Sequence, residues 1–156
     1  MGALRVAFVV QGEGRGHMTQ ALALASILTE AGHEVVEVLV GRSPHRPVPD
    51  YFTAGIDAPV REFDAPVQVP DRSGQGLSVG RTLADAARRG PSFFRSMVAI
   101  AEHTAGADVV VNLLDLLGGV SRTLFPSGVP ALAIAHNYVF LHPRLHDAPG
   151  PARMRR

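Results

Sequence analysis

Three glycines at every second position, Gly12, Gly14 and Gly16, are followed at once by His17. Positions without a Cβ let a ligand approach the main chain closely. The amides of a helix beginning there would attract an anion. An imidazole at the same point could take a proton from a hydroxyl group if the ring were neutral. A helix N-terminus disfavours a cation and so favours the neutral ring. A tight strand-to-helix turn would use the same residues, with His17 merely capping or packing. A dinucleotide fingerprint would need its third glycine at position 17 and an acidic residue after the second strand. The chain has His17 and then Leu39-Val40-Gly41-Arg42 instead. A nicotinamide or flavin site is therefore poorly supported. A sugar, phosphate or diphosphate suits the loop better.

A second candidate is Asp115, which follows an apolar run and precedes Gly118-Gly119. A carboxylate there could orient an imidazole or accept a hydrogen bond from a substrate hydroxyl. It could equally cap the next helix. Gly118 and its neighbour could offer amides to an anion. Arg15 could pair with a phosphate or stand in solvent. Arg81, Arg88 and Arg89 read as an exposed helix face. His33 follows the helix-ending Gly32 and reads as structural. His136, His142 and His146 suggest metal ligands only by their number. Pro143 spoils a helical pair among them, so no metal site is expected.

Two absences narrow the chemistry. None of the 156 residues is cysteine, which removes disulfides, thiolate nucleophiles and iron–sulfur clusters. None is lysine either, and all 15 basic residues are arginine. That removes a Walker-type phosphate loop and Schiff-base catalysis. The net charge of +1 is spread along the chain, so no nucleic-acid surface is expected. Gln11, Glu13 and Arg15 interrupt the first apolar run too early for a signal peptide. No run approaches the ~18 residues of a membrane span. A cytoplasmic protein is the expectation.

The elements that would position these residues alternate in type. Residues 5–11 read as a buried strand, and 17–31 as a helix with Met18, Ala21, Leu22, Ala25 and Leu28 on one face. Residues 34–40 form the next strand. A turn-rich stretch over 41–50 and a short strand over 60–63 follow. Residues 64–80 read as a long loop, and 81–104 as helical, broken at Gly90-Pro91 into two helices or one kinked helix. Residues 108–114 read as strand, 116–125 as helix, 131–136 as strand, and the last dozen as irregular. This order predicts an α/β fold, a single-domain Rossmann-like doubly wound parallel sheet. Ligands then belong at the carboxyl ends of the strands.

The run Gly12-Glu13-Gly14-Arg15-Gly16-His17, with Ala21-Leu22-Ala23-Leu24-Ala25 and Ala31-Gly32-His33-Glu34-Val35, resembles the N-terminal domain of GT-B-fold glycosyltransferases. It is most similar to the group whose members add N-acetylglucosamine to a lipid-linked cell-wall precursor, and to relatives with the same glycine loop. The resemblance implies half of a GT-B fold over residues 1–142. Residues 143–156 would be a tail or the start of a linker. It further implies an acceptor-binding role, with a C-terminal domain or partner chain holding the nucleotide-sugar donor. His17 would act as base or charge stabiliser, and Gly14, Arg15 and Gly16 would approach the donor diphosphate or the acceptor. Asp115, His136 and Asn137 would line the acceptor side. No metal or cofactor is implied beyond the nucleotide sugar itself. The second domain of that family is not in the sequence, so the chain is expected to be inactive alone. A peripheral contact with the inner membrane surface would suit a lipid-linked acceptor.

Overall fold

The computed structural model describes residues 2–42, 47–66 and 78–134. Strand β1 (Arg5–Val10) is apolar throughout and nearly all buried, as a central parallel strand must be. Its side chains alternate between two cores. Val6, Phe8 and Val10 face one, and Ala7 and Val9 the other. Helix α1 (Arg15–Glu30) closes the first core with Met18, Ala21 and Ala25. The chain leaves it through Gly32 at φ 80°, a left-handed stop that glycine adopts without strain. His33 then accepts a hydrogen bond from the Leu4 amide at Nδ1 (3.2 Å), consistent with a structural role.

Strand β2 (Glu34–Arg42) pairs in parallel with β1. The five-residue helix α2 (Asp50–Ala54) was not foreseen, being too short for a periodic signal. It plugs the first core with the fully buried Phe52. Strand β3 (Val60–Asp64) pairs with β2.

Helix α3 (Val79–Thr104) corrects one expectation and decides between two others. It begins within the stretch read as loop, where Ser78 accepts a hydrogen bond from the Arg81 amide, and it runs unbroken through Gly90 and Pro91. Pro91 lies on the exposed side, where water can take the carbonyl that proline orphans. On the other side Phe93, Met97 and Ile100 are held in the second core. Burial of that stripe outweighs the proline. Arg89 also departs from the expected solvated face. Its guanidinium lies 4.9 Å from the centre of the Phe93 ring, and its side chain is mostly buried.

Strand β4 (Val109–Leu113), helix α4 (Leu116–Leu124) and strand β5 (Ala131–Ile134) complete the described chain. Among the described residues the sheet is five-stranded and all parallel, in the order β3-β2-β1-β4-β5. This is the Rossmann-like α/β architecture that the alternation of elements predicted. Helices α1 and α2 cover one face, and α3 and α4 pack together on the other. Among the described residues β5 is an edge strand, and its four apolar residues are all exposed. No helix among the described residues is long and apolar enough to cross a membrane.

Candidate functional site

The strand order reverses between β1 and β4, which puts the ends of these two strands side by side. A parallel sheet opens a crevice at such a point, outside the carboxyl ends of its strands. The Gln11 amide donates to the Leu113 carbonyl (3.2 Å) and carries the pairing up to the rim.

On the β1 side, Gly12 is buried against β2. A Cβ there would fall 1.7 Å from the Gly41 carbonyl oxygen. The first glycine is thus a packing requirement. Gly14 occupies the N-cap position of α1 in an extended conformation and has no side chain with which to cap it. Arg15 and Gly16 are exposed. They bring the start of the helix to the surface. The helix starts two residues earlier than expected, and this turns His17 inward. The residue is only 6% exposed and its Nδ1 is buried. A Cβ on Gly14 would sit 3.8 Å from His17 Cδ2, so the ring lies close under the loop. The expected imidazole at an open mouth is therefore corrected. The ring is at the rim, but roofed by the loop.

On the β4 side, Asp115 is 5% exposed. Its Oδ1 accepts from the Gly118 amide at 2.8 Å and caps α4. Its Oδ2 points across the end of β1 towards β2, 2.9 Å from where a Gly41 Cβ would be. Burial pushes the carboxyl pKa up to about 6, while the Gly118 and Leu117 amides pull the other way. The caretaker of this arrangement is Asn112. Its Oδ1 accepts from the Asp115 amide (2.8 Å) and its Nδ2 donates to the Asp115 carbonyl (2.9 Å). Between them Leu114 stands at φ 58°, a left-handed conformation that costs a leucine about 1–2 kcal/mol. Such strain persists only where its surroundings impose it.

Gly118 does not serve an incoming anion. It is buried, its amide is taken by Asp115, and a Cβ would meet Val9 Cγ1 at 2.8 Å. It is a packing glycine that lets α4 approach β1. Beside it, a groove of about 390 Å³ runs between β4, α4 and β5, lined by Asn112, Leu114, Asp115, Val120 and Ile134 among others. His136 and Asn137 lie outside the described residues, as do His142 and His146. Among the described residues no group of three His, Cys, Asp or Glu could hold a metal ion.

The rim carries one more polar cluster, at the ends of β2 and β3. Asp64 accepts from Ser92, pairs with Arg42 at 3.0 Å, and lies 3.9 Å from Arg89. The Ser92 bond, with the two guanidinium groups, holds its carboxyl below the ordinary value despite partial burial. Sequence reasoning missed Asn112; it placed Gly41 and Asp64 on the expected rim, at the carboxyl ends of β2 and β3, without singling out either. The lone polar residue in the apolar run Val109-Val110-Val111-Asn112-Leu113 was the available signal for the first.

No family model matches the chain, and no curated protein matches it. Solved structures do. The glycosyltransferase of kitacinnamycin is 17% identical over 85% of this chain and 30% of its own. The calicheamicin glycosyltransferase CalG4 is 20% identical over 92% and 37%, and the spinosyn forosaminyltransferase SpnP is 22% identical over 97% and 37%. Each has a TM-score of 0.48. The chain spans about a third of the length of each.

Proposed function

We propose that this chain is the acceptor-side domain of a glycosyltransferase that moves a sugar from a nucleotide-sugar donor to a hydroxyl acceptor. The observation that carries the reading is the pairing at the reversal of the sheet, where the turn bearing His17 and the turn bearing Asp115 end neighbouring strands. His17 takes the proton of the acceptor hydroxyl as its oxygen attacks the anomeric carbon. The bond from that carbon to the diphosphate breaks, and the nucleotide leaves with the electron pair. Asp115, with its carboxyl pushed only to about 6, is mostly ionised at pH 7, and the reading assigns it to the charge that develops on the imidazole. Nδ1 is buried, so the reading assigns Nε2 to the acceptor hydroxyl, which requires the loop over the ring to admit it. Gly14, Arg15 and Gly16 face the donor diphosphate or the acceptor. His136 and Asn137 line the acceptor side. The donor half comes from a second α/β domain, on the same chain or on a partner. The likeness of the glycine loop to the N-acetylglucosaminyltransferase group favours a lipid-linked acceptor and a peripheral membrane contact.

Release of nucleotide from a panel of nucleotide sugars tests this. The chain alone should give little or no turnover, and robust turnover would end the idea of a missing donor half. In the protein that carries a donor domain, His17→Ala should lower kcat by about 10²–10⁴-fold. An unchanged kcat would remove His17 from the chemistry.

The 6% exposure of His17 favours one other reading, a nucleotide-binding module without catalysis. Calorimetric titration separates the two. Tight binding of a free mononucleotide or dinucleotide by this chain supports the module, because the acceptor half should lack the donor site.

A further inference from the structure

We propose that Asn112 is the positioning residue of the site, and that its carboxamide, by gripping the Asp115 main chain from both sides, fixes where the Asp115 carboxyl group points. The proposal rests on the reading that Asp115 belongs to the site, and on geometry that stands apart from it. A carboxamide accepts at its oxygen and donates from its nitrogen, two separate atoms on one rigid plane. Asn112 uses both functions on one residue, accepting from the Asp115 amide at 2.8 Å and donating to its carbonyl at 2.9 Å. The closed ring contains Leu114 and holds it at φ 58°, which an unconstrained leucine would leave.

The grip has a direct consequence for the carboxyl group. With the main chain of Asp115 immobile, Oδ1 meets the Gly118 amide at 2.8 Å and Oδ2 reaches over the end of β1 towards Gly41. Asn112 is itself braced. A Cβ on Gly118 would lie 3.1 Å from its Nδ2, so the absence of a side chain at 118 is what admits the carboxamide. Asn112, Asp115 and Gly118 thus lock one another. Asn112 shares a sheet face with the core residue Val110, where the strand otherwise carries apolar side chains. A leucine there would keep the volume and lose both bonds.

The test is a carbon-13 NMR titration of the Asp115 carboxyl group in the whole chain, without any sugar donor, with Asp115→Asn used to assign the signal. Asn112→Leu and Asn112→Ala should let Leu114 relax and the carboxyl group swing towards water. Its proton affinity should then fall more than tenfold, towards that of an ordinary aspartate. Leu114→Gly alone should leave the titration unchanged, because glycine accepts φ 58° and the grip is intact. Adding Leu114→Gly to Asn112→Ala should restore part of the native titration. An Asn112→Ala variant that titrates like the native chain would overturn the proposal. So would a Leu114→Gly variant that shifts as far as Asn112→Ala. If neither Asn112 variant folds, even with Leu114→Gly added, Asn112 serves the fold rather than Asp115, and the proposal is again overturned. Because no sugar is transferred in the experiment, failure of the glycosyltransferase reading would leave the titration result standing, and the reverse also holds.

Discussion

The turns that end β1 and β4 are neighbours on one rim and are built on opposite plans. The first is bare. Gly14 caps α1 without a side chain, and Arg15 and Gly16 are exposed. The second is filled. Asp115 caps α4, Asn112 grips Asp115, and Leu114 is strained between them. Both helices present amides at their starts. The turn at β4 bonds the Gly118 amide to its own carboxylate, whereas Gly14 has no side chain to offer the amides of α1. The proposed donor diphosphate is therefore assigned to the start of α1 rather than to that of α4, and the buried acid of the β4 turn to the proposed site's orientation.

The harshest challenge to this contrast is Gly12→Ala. Its Cβ would collide with the Gly41 carbonyl at 1.7 Å, backbone against backbone, so the bare turn should prove intolerant at its root. A loss of about 3 kcal/mol or more in urea unfolding is expected. A loss below about 1 kcal/mol would mean that the strand ends are less tightly joined than described.

Asp115→Asn sharpens the other side through pH. The Asp115 carboxyl is raised from 3.8 to about 6 in the folded chain. The native state thus keeps this proton over a range where the unfolded chain has lost it. Its contribution to stability is whole below about pH 4 and is lost as pH rises towards 6. Asparagine caps a helix as well as aspartate and does not titrate. The variant should therefore gain on the native chain by about 2–3 kcal/mol between pH 4 and pH 7. Parallel stability curves would show that the carboxyl is not held in a desolvated place.

Gly41→Ala tests the point where the two turns meet. Its Cβ would lie 2.9 Å from both the Asp115 Oδ2 and the Ala65 Cβ. About 1–3 kcal/mol should be lost, with a displaced Asp115 titration. A shift in stability without one in titration would separate Gly41 from the site.

The smallest effect is expected from Gly14→Ser, which gives the bare turn the cap it lacks. A Cβ there meets only His17 Cδ2, at an ordinary 3.8 Å. Stability should rise by a few tenths of a kcal/mol, and the affinity for a nucleotide sugar in the two-domain protein should fall. Unchanged affinity would mean that the bareness of this turn serves no ligand.

Much of this was legible in the residues themselves. Apolar runs without alternation identify central parallel strands, the three-and-four spacing of Met18, Ala21 and Ala25 identifies the buried face of α1, and Gly32 marks its end. Those signals are local, since each depends on the period of one element against one layer of core. The rim could be named for the same reason, because alternating elements imply a parallel sheet and a parallel sheet implies a working edge.

What tertiary structure alone decided concerns contacts between residues far apart in sequence. Pro91 does not break α3, because the stripe of Phe93, Met97 and Ile100 is held against the sheet. Gly12 and Gly41 need each other 29 positions apart. His17 lies beneath the loop because α1 begins at Arg15, and Gly118 serves packing because α4 presses on β1. Composition and period report how a segment meets an average interior. They do not report which atom occupies the space beside a given Cα, and in this crevice that neighbour decides whether a glycine, a histidine or an aspartate is open to a ligand or closed by the fold.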